Sequence, residues 1–401
     1  MSHICNDMTR MWLCGATVFG ASFTAPQLYE TNLPSDHPAI QYRADPAEDR
    51  VAQLAGELER GERSLAFDAR LSFLPSLLER LGVTSDSQTL VFSKTSVQES
   101  RISPRTPRAI YFGDDVAVAF IPGSDTLELA AVDPAKGTIF YSLDARNTGK
   151  PRIVRTEGCL HCHQGPATLG VPGIYVGSVA TRPSGRADFR LGSIVTDHRT
   201  PFPDRWGGWY VDGTTGETHR GNAVATDPEF TSSVPALLFD AKSYPAASSD
   251  IVALMTLEHQ TQMINLLTRL SWEARIDSKG PDAPGLSARI EEVVRYMLFL
   301  DERPLSAPIR GASAFSETFP RRGPRDRKGR SLRDFDLEKR LFRYPLSYMV
   351  HGRQIQALPE GIRDRLFRRL HETLQSDAVA AEDRRAILEI LADTRPENGE
   401  P

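Results

Sequence analysis

The chain has 401 residues, with 48 Lys and Arg against 52 Asp and Glu for a formal net charge of −4, and 40% of its residues are hydrophobic. That apolar share excludes wholesale disorder, 29 Gly and 28 Pro are too few for a collagen-like repeat, and no run of about 18 apolar residues offers a membrane span. The balanced charge excludes a globally basic nucleic-acid binder, and at roughly 100–200 residues per domain the length predicts two or three units or one elaborated core.

Residues 1–25 follow the order of a signal peptide: Arg10, then the apolar, small-residue stretch from Met11 to Ala25, then the polar Pro26-Gln27. Asp7 opposes Arg10, an opposition that a start at Met8 removes. Leu13 ahead of Cys14 is too large for a lipid-attachment signal, so export to the periplasm or beyond without a lipid anchor is expected. Residues 26–150 read as a β-rich region. Amphipathic helices are predicted at 50–60 and at 70–81, the second with Leu71, Leu74, Leu77, Leu78 and Leu81 on one face and Pro75 against it. From Thr89 the period shortens to two, and Thr89–Lys94, Ala109–Gly113, Asp115–Ile121, Leu127–Asp133 and Thr138–Leu143, separated by Gly- and Pro-containing turns, predict an antiparallel meander.

Residues 151–235 carry the motif that points to chemistry. Cleavage after Ala25 removes Cys5 and Cys14 and leaves Cys159 and Cys162, followed at once by His163, a C-x-x-C-H sequence. Two thiols three apart reach the two vinyl groups along one side of a porphyrin, and the next residue places an imidazole under the iron. The pattern is therefore the attachment signal of c-type haem, with His163 as the proximal ligand and one haem per chain. A dithiol redox pair would sit at a strand-to-helix turn of a βαβ unit, which the surroundings lack. Zinc would need Cys159, His161, Cys162 and His163 crowded into five residues, whereas closed zinc sites join two separated pairs.

Residues 159–163, with Gly165 and Pro166, resemble the haem-binding segment of c-type cytochromes. Arg205-Trp206-Gly207-Gly208-Trp209-Tyr210 and Leu341-Phe342-Arg343-Tyr344-Pro345-Leu346-Ser347-Tyr348 are similar to segments of exported bacterial proteins with a cytochrome c domain and no assigned activity. The resemblance implies covalent haem and names no substrate. The context departs from small helical cytochromes c, because strand-like segments are predicted around the motif: Ile174–Thr181, Asp188–Thr196, Trp206–Asp212 and Glu217–Thr226, with Trp206–Thr218 as a hairpin.

Residues 236–395 are predicted to be mainly helical, making the whole chain α+β, with a short tail at 396–401. The strongest helix, 250–273, starts at Ser249 or Asp250 and carries Val252, Met255, His259, Met263, Leu266 and Leu270 on one stripe. Further helices are predicted at 286–301, 336–344, 360–375 and 379–393. The sixth position of the iron separates an electron carrier from a haem enzyme. His259 is the candidate distal ligand and Met255 the alternative from the same stripe. A core histidine bonded to a carbonyl is the competing reading of His259, and packing that of Met255. His198 and His219, which flank the aromatics Trp206, Trp209 and Tyr210, are weighed likewise as facing the haem or as sheet packing. Residues 321–333 hold seven basic residues against Asp326, either a docking loop for an acidic redox partner or a solvated connection. No G-x-S-x-G elbow, Walker loop, H-E-x-x-H or G-x-G-x-x-G supports a competing enzyme class. One-electron transfer is thus the expected function and a peroxidase- or oxygenase-like activity the alternative.

Overall fold

Two N-terminal helices and a meander form the first layers. The computed structural model describes residues 31–44, 46–147, 149–225, 238–277 and 284–394; the expected signal peptide, Thr226 and the tail at 396–401 lie outside them. Helix α1 (Arg50–Arg60) is capped by Asp49, whose carboxylate accepts from the Val51 and Ala52 amides. Helix α2 (Leu74–Leu81) starts four residues later than its leucine spacing predicts, because the Asp68 carboxylate takes the Arg70 and Leu71 amides and Ser72 adopts φ 60°. Strands β1 (Thr89–Val91), β2 (Arg108–Phe112), β3 (Val116–Phe120), β4 (Thr126–Asp133), β5 (Gly137–Asp144) and β6 (Ile153–Arg155) pair antiparallel in succession, as the period-two pattern predicts. Strand β9 (Trp209–Tyr210) adds to β1, giving the order β6-β5-β4-β3-β2-β1-β9.

One face of this sheet carries Ala109, Tyr111, Val118, Leu129, Ile139 and Leu143, which pack with the leucines of α1 and α2 into one core. A second core gathers around α4 (Ile251–Ile276) and continues into α5 (Pro284–Met297), α6 (Phe315–Thr318), α7 (Arg353–Gln356), α8 (Glu360–Gln375) and α9 (Ala381–Thr394). The fold is α+β, with a large antiparallel sheet in the N-terminal half and helices in the C-terminal half. Among the described residues no helix is long and apolar enough to cross a membrane.

Helix α4 is buried on every side from Ile251 to Trp272, not along a single stripe. Its polar residues survive burial because partners are built for them. Asp250, fully buried, caps the helix through Val252 and Ala253 and also accepts from the Ala312 and Ser313 amides; Gln260 bonds the Gly113 carbonyl and the Tyr348 hydroxyl.

Other local expectations are corrected. The motif is one helical turn, α3 (Leu160–His163), and the strands after it are short: β7 (Val176–Val179) pairs with β8 (Ser193–Thr196), because Asp188 caps a 3-10 turn at Phe189–Leu191. The 206–218 hairpin does not form: β9 pairs with β1, and β10 (Gly213–Thr214) pairs with β11 (Arg310–Gly311). Residues 217–225 carry no strand. Nor is 336–344 a helix, since the Asp336 carboxylate captures the Glu338 and Lys339 amides and Leu337 adopts φ 59°.

Candidate functional site

The amides of Cys162 and His163 both donate to the Cys159 carbonyl, so the turn that gives α3 its shape also sets the spacing of the two thiols. Neither cysteine is in a disulfide; Cys159 is half-buried and Cys162 exposed. His163 is clamped to Gly173 in both directions. The Gly173 amide donates to the His163 carbonyl at 2.9 Å, and His163 Nδ1 donates to the Gly173 carbonyl at 2.9 Å. A carbonyl can only accept, so the proton belongs on Nδ1 and the lone pair on Nε2, which has no hydrogen-bond partner among the described residues. The ring lies between Phe140 and Tyr175, with centroids 5.1 and 5.8 Å away. Burial lowers its pKa, which keeps the imidazole neutral, the form a metal requires.

The clamp depends on α4. A Cβ on Gly173 would stand 2.0 Å from Asn265 Oδ1, so any side chain there displaces the Asn265 amide that braces the loop. Asn265 Nδ2 donates to the Ile174 carbonyl at 3.0 Å, and Arg269 Nη1 donates to the carbonyls of Leu169 and Thr31. Within the loop, the Thr168 hydroxyl donates to the Val171 carbonyl at 2.7 Å.

The electrostatics distinguish this site from the alternatives. Burial, then Glu128, pushes the Cys159 thiol upward, opposite to the activated thiolate of a dithiol redox centre. Among the described residues no group of three or more His, Cys, Asp or Glu side chains is arranged to hold a metal ion, so the crowded zinc set does not assemble. His161 is exposed, with Nδ1 on the Gly158 carbonyl.

Beside His163 the second face of the sheet is partly open. Cross-strand register puts Ile110, Ala119, Glu128, Ser142 and Val154 in one row over five strands, with Ala117, Ala130 and Phe140 in the next. Most of these are half-exposed and several are small, so they form a shallow shelf ending at Phe140 under the imidazole. Tyr175, at the entry to β7, flanks the imidazole, and on the β7–β8 ladder Gly177 lies across from the partly exposed Val195. A disc bound through Nε2 and the two thiols would meet the rings of Phe140 and Tyr175 and a shelf of small and apolar side chains interrupted by Glu128 and Ser142, and this donor set fits a covalent haem.

The distal candidates lie elsewhere. His259 is fully buried, with Nδ1 3.0 Å from His198 Nδ1 and Nε2 2.8 Å from the Ser347 hydroxyl, and its ring stacks on Tyr296 and Phe299. Neither nitrogen is left for an iron. Met255 is packed in the same core. His198 is equally buried, and His219 stands edge-on to Trp206, itself fully buried, while the Trp209 indole donates to the Gly177 carbonyl. The geometry thus gathers Cys159, Cys162 and His163 and does not join His259 or Met255 to them. Sequence reasoning missed Gly173, Asn265, Phe140 and Tyr175. The small residues alternating along Ala117, Ala119 and Ala130 were the available signal for the shelf.

Comparison with known proteins finds no matching family model, no similar curated protein and no similar solved structure.

Proposed function

We propose that this chain is an exported monohaem c-type cytochrome working in one-electron transfer, with haem c bound through Cys159 and Cys162 and its iron held by His163. The observation that carries the reading is His163 itself: a neutral imidazole, oriented by Gly173 through Nδ1, with Nε2 unpartnered and two free thiols on the turn before it. Bound haem supplies a one-electron couple. The chain's part is to fix the ring's rotation, pack it against Phe140 and Tyr175, and brace the loop from α4. Another redox protein is the partner this function requires, in the periplasm or outside the cell, and nucleic acid has no part in it.

A second reading, a haem oxidoreductase with an open sixth position, gains from one observation: both nitrogens of His259 are engaged in the core. One experiment addresses both. The mature chain is produced in a host with cytochrome maturation machinery, its mass is measured, and its absorption spectra are recorded with and without cyanide or carbon monoxide. Covalent haem is expected, and its absence overturns the proposal. A low-spin iron indifferent to both ligands supports the carrier; ready binding of either turns the case to the oxidoreductase.

A further inference from the structure

We infer that Arg108 anchors a haem propionate on the shelf beside His163, an assignment that rests on the haem reading above. Arg108 opens β2 on the same sheet face as Ile110, and Glu128 lies on β4, with β3 and the small Ala119 between them. Two strand spacings, roughly 10 Å, separate the two backbones. The side chains therefore meet only end-on, at a single 3.3 Å contact from Nη1 to Oε2.

That contact leaves the pair incompletely satisfied. Arg108 Nε and Glu128 Oε1 are both buried without a partner, and the described residues offer the Nε–Nη2 edge of the guanidinium no acceptor. This edge is the fork that takes a carboxylate in the bidentate mode, and burying it unpaired is costly. Arg108 and Glu128 stand on the same sheet face as Phe140, whose ring lies 5.1 Å from the His163 imidazole, so the cation shares the shelf that ends at the attachment turn. A carboxylate carried by a group bound through His163 and the two thiols is the anion that this placement selects. Arg108 then bridges two carboxylates, the propionate and Glu128.

The test uses full-length holoprotein with Arg108→Ala, Arg108→Lys, Arg108→Gln and Glu128→Gln, and Arg327→Ala as a remote control. Covalent haem is quantified first. If the unaltered protein carries none, the haem reading fails and the assignment falls with it. Where haem is present, removing a nearby cation disfavours the reduced iron. Arg108→Ala and Arg108→Gln are expected to shift the one-electron equilibrium about tenfold toward the oxidised form, which is 59 mV. Glu128→Gln should shift it the other way. The propionate bending band in the resonance Raman spectrum should move in all three Arg108 variants, while Arg108→Lys, which keeps the charge and loses the fork, should leave the equilibrium within about threefold of the parent. Circular dichroism identifies a misfolded variant, and the Gln and Lys substitutions then carry the test. A potential that moves without the Raman band places the charge near the haem but not on its propionate, and overturns the assignment. So does a variant in which neither moves.

Discussion

Helix α4 serves two histidines that invite the same reading in sequence and differ in space. Toward its C-terminal half, Asn265 and Arg269 brace the loop that turns His163 outward with one nitrogen tied and the other unpartnered. At its middle, His259 has both nitrogens tied, to His198 and Ser347, and aromatic rings around it. What separates the proposed ligand from the core residue is therefore a spare lone pair with somewhere to point, not the apolar company a histidine keeps. The polar face of α4 is spent on partners inside the protein, and only the segment it braces is turned toward something outside.

The two sites should respond oppositely to the same substitution. His259→Ala removes two buried hydrogen bonds and leaves a ring-sized hole among Tyr296, Phe299 and Phe342, a loss of about 3–5 kcal/mol in denaturant unfolding. In protein that remains folded, the haem spectrum should not change. His163→Ala is expected to cost only about 1–2 kcal/mol, because it removes one hydrogen bond at a half-buried position, yet to change the iron's spin state and potential. A His259→Ala protein that turns high-spin would break the comparison.

Titratable groups withdrawn from solvent also predict how stability changes with pH. Burial pushes Glu302 and Glu258 up from 4.5 to about 7, the latter despite Arg205 at 3.3 Å. A carboxyl whose folded pKa is raised holds its proton longer when folded, so the stability it contributes is full below pH 4.5 and is lost as pH rises to about 7. Burial drives His198 and His259 the other way, well below 6.5, so their contribution is present above that pH and lost as it falls. Glu302→Gln should therefore gain on the parent protein between pH 5 and pH 8, by up to about 3 kcal/mol. A gap between the two proteins that stays constant with pH would remove Glu302 from this balance.

At the motif, Gly173→Ala sharpens the contrast. The added methyl meets Asn265 Oδ1, and an overpacked site typically costs about 1–3 kcal/mol. If the glycine serves only packing, stability alone changes; if it positions His163, the haem potential moves with it. Both are expected to change, and an unaltered potential would confine Gly173 to packing.

What could be read in the sequence follows how local each feature is. The meander and α1, α4, α8 and α9 announce themselves through periodicity and caps, and of the two caps the sequence offers for α4, Ser249 and Asp250, the fold uses Asp250. Cys159, Cys162 and His163 stand out as a candidate set because the haem attachment proposed for them needs neighbours three and four residues apart. Gly173 and Asn265 do not, since their meeting depends on a helix some ninety residues away along the chain. The misread segments fail for a related reason. Asp336 and Leu337 divert an apolar stretch into turns, and the Trp206–Thr218 hairpin loses its two halves to more distant strands. Burial of α4 on all sides was hidden because Glu258, Gln260, Asn265 and Arg269 look like a solvent face until their partners are known.

The smallest effect is expected at the basic run 321–333. In sequence it reads as free positive charge, but the fold pairs six of its seven cations: Arg322 with Asp86, Arg325 with Asp334, Arg327 with Asp393, Lys328 with Glu389, Arg330 with Asp326 and Glu389, and Arg333 with Asp114. A field so compensated steers a distant anion weakly, and exposed pairs contribute little to stability. Arg327→Ala together with Lys328→Ala should leave the unfolding midpoint and the ionic-strength dependence of electron exchange with an acidic redox protein unchanged. A flattened salt dependence in the double variant would return this run to the role of a docking loop, and would mean that the ion pairs to Asp393 and Glu389 open when a partner approaches.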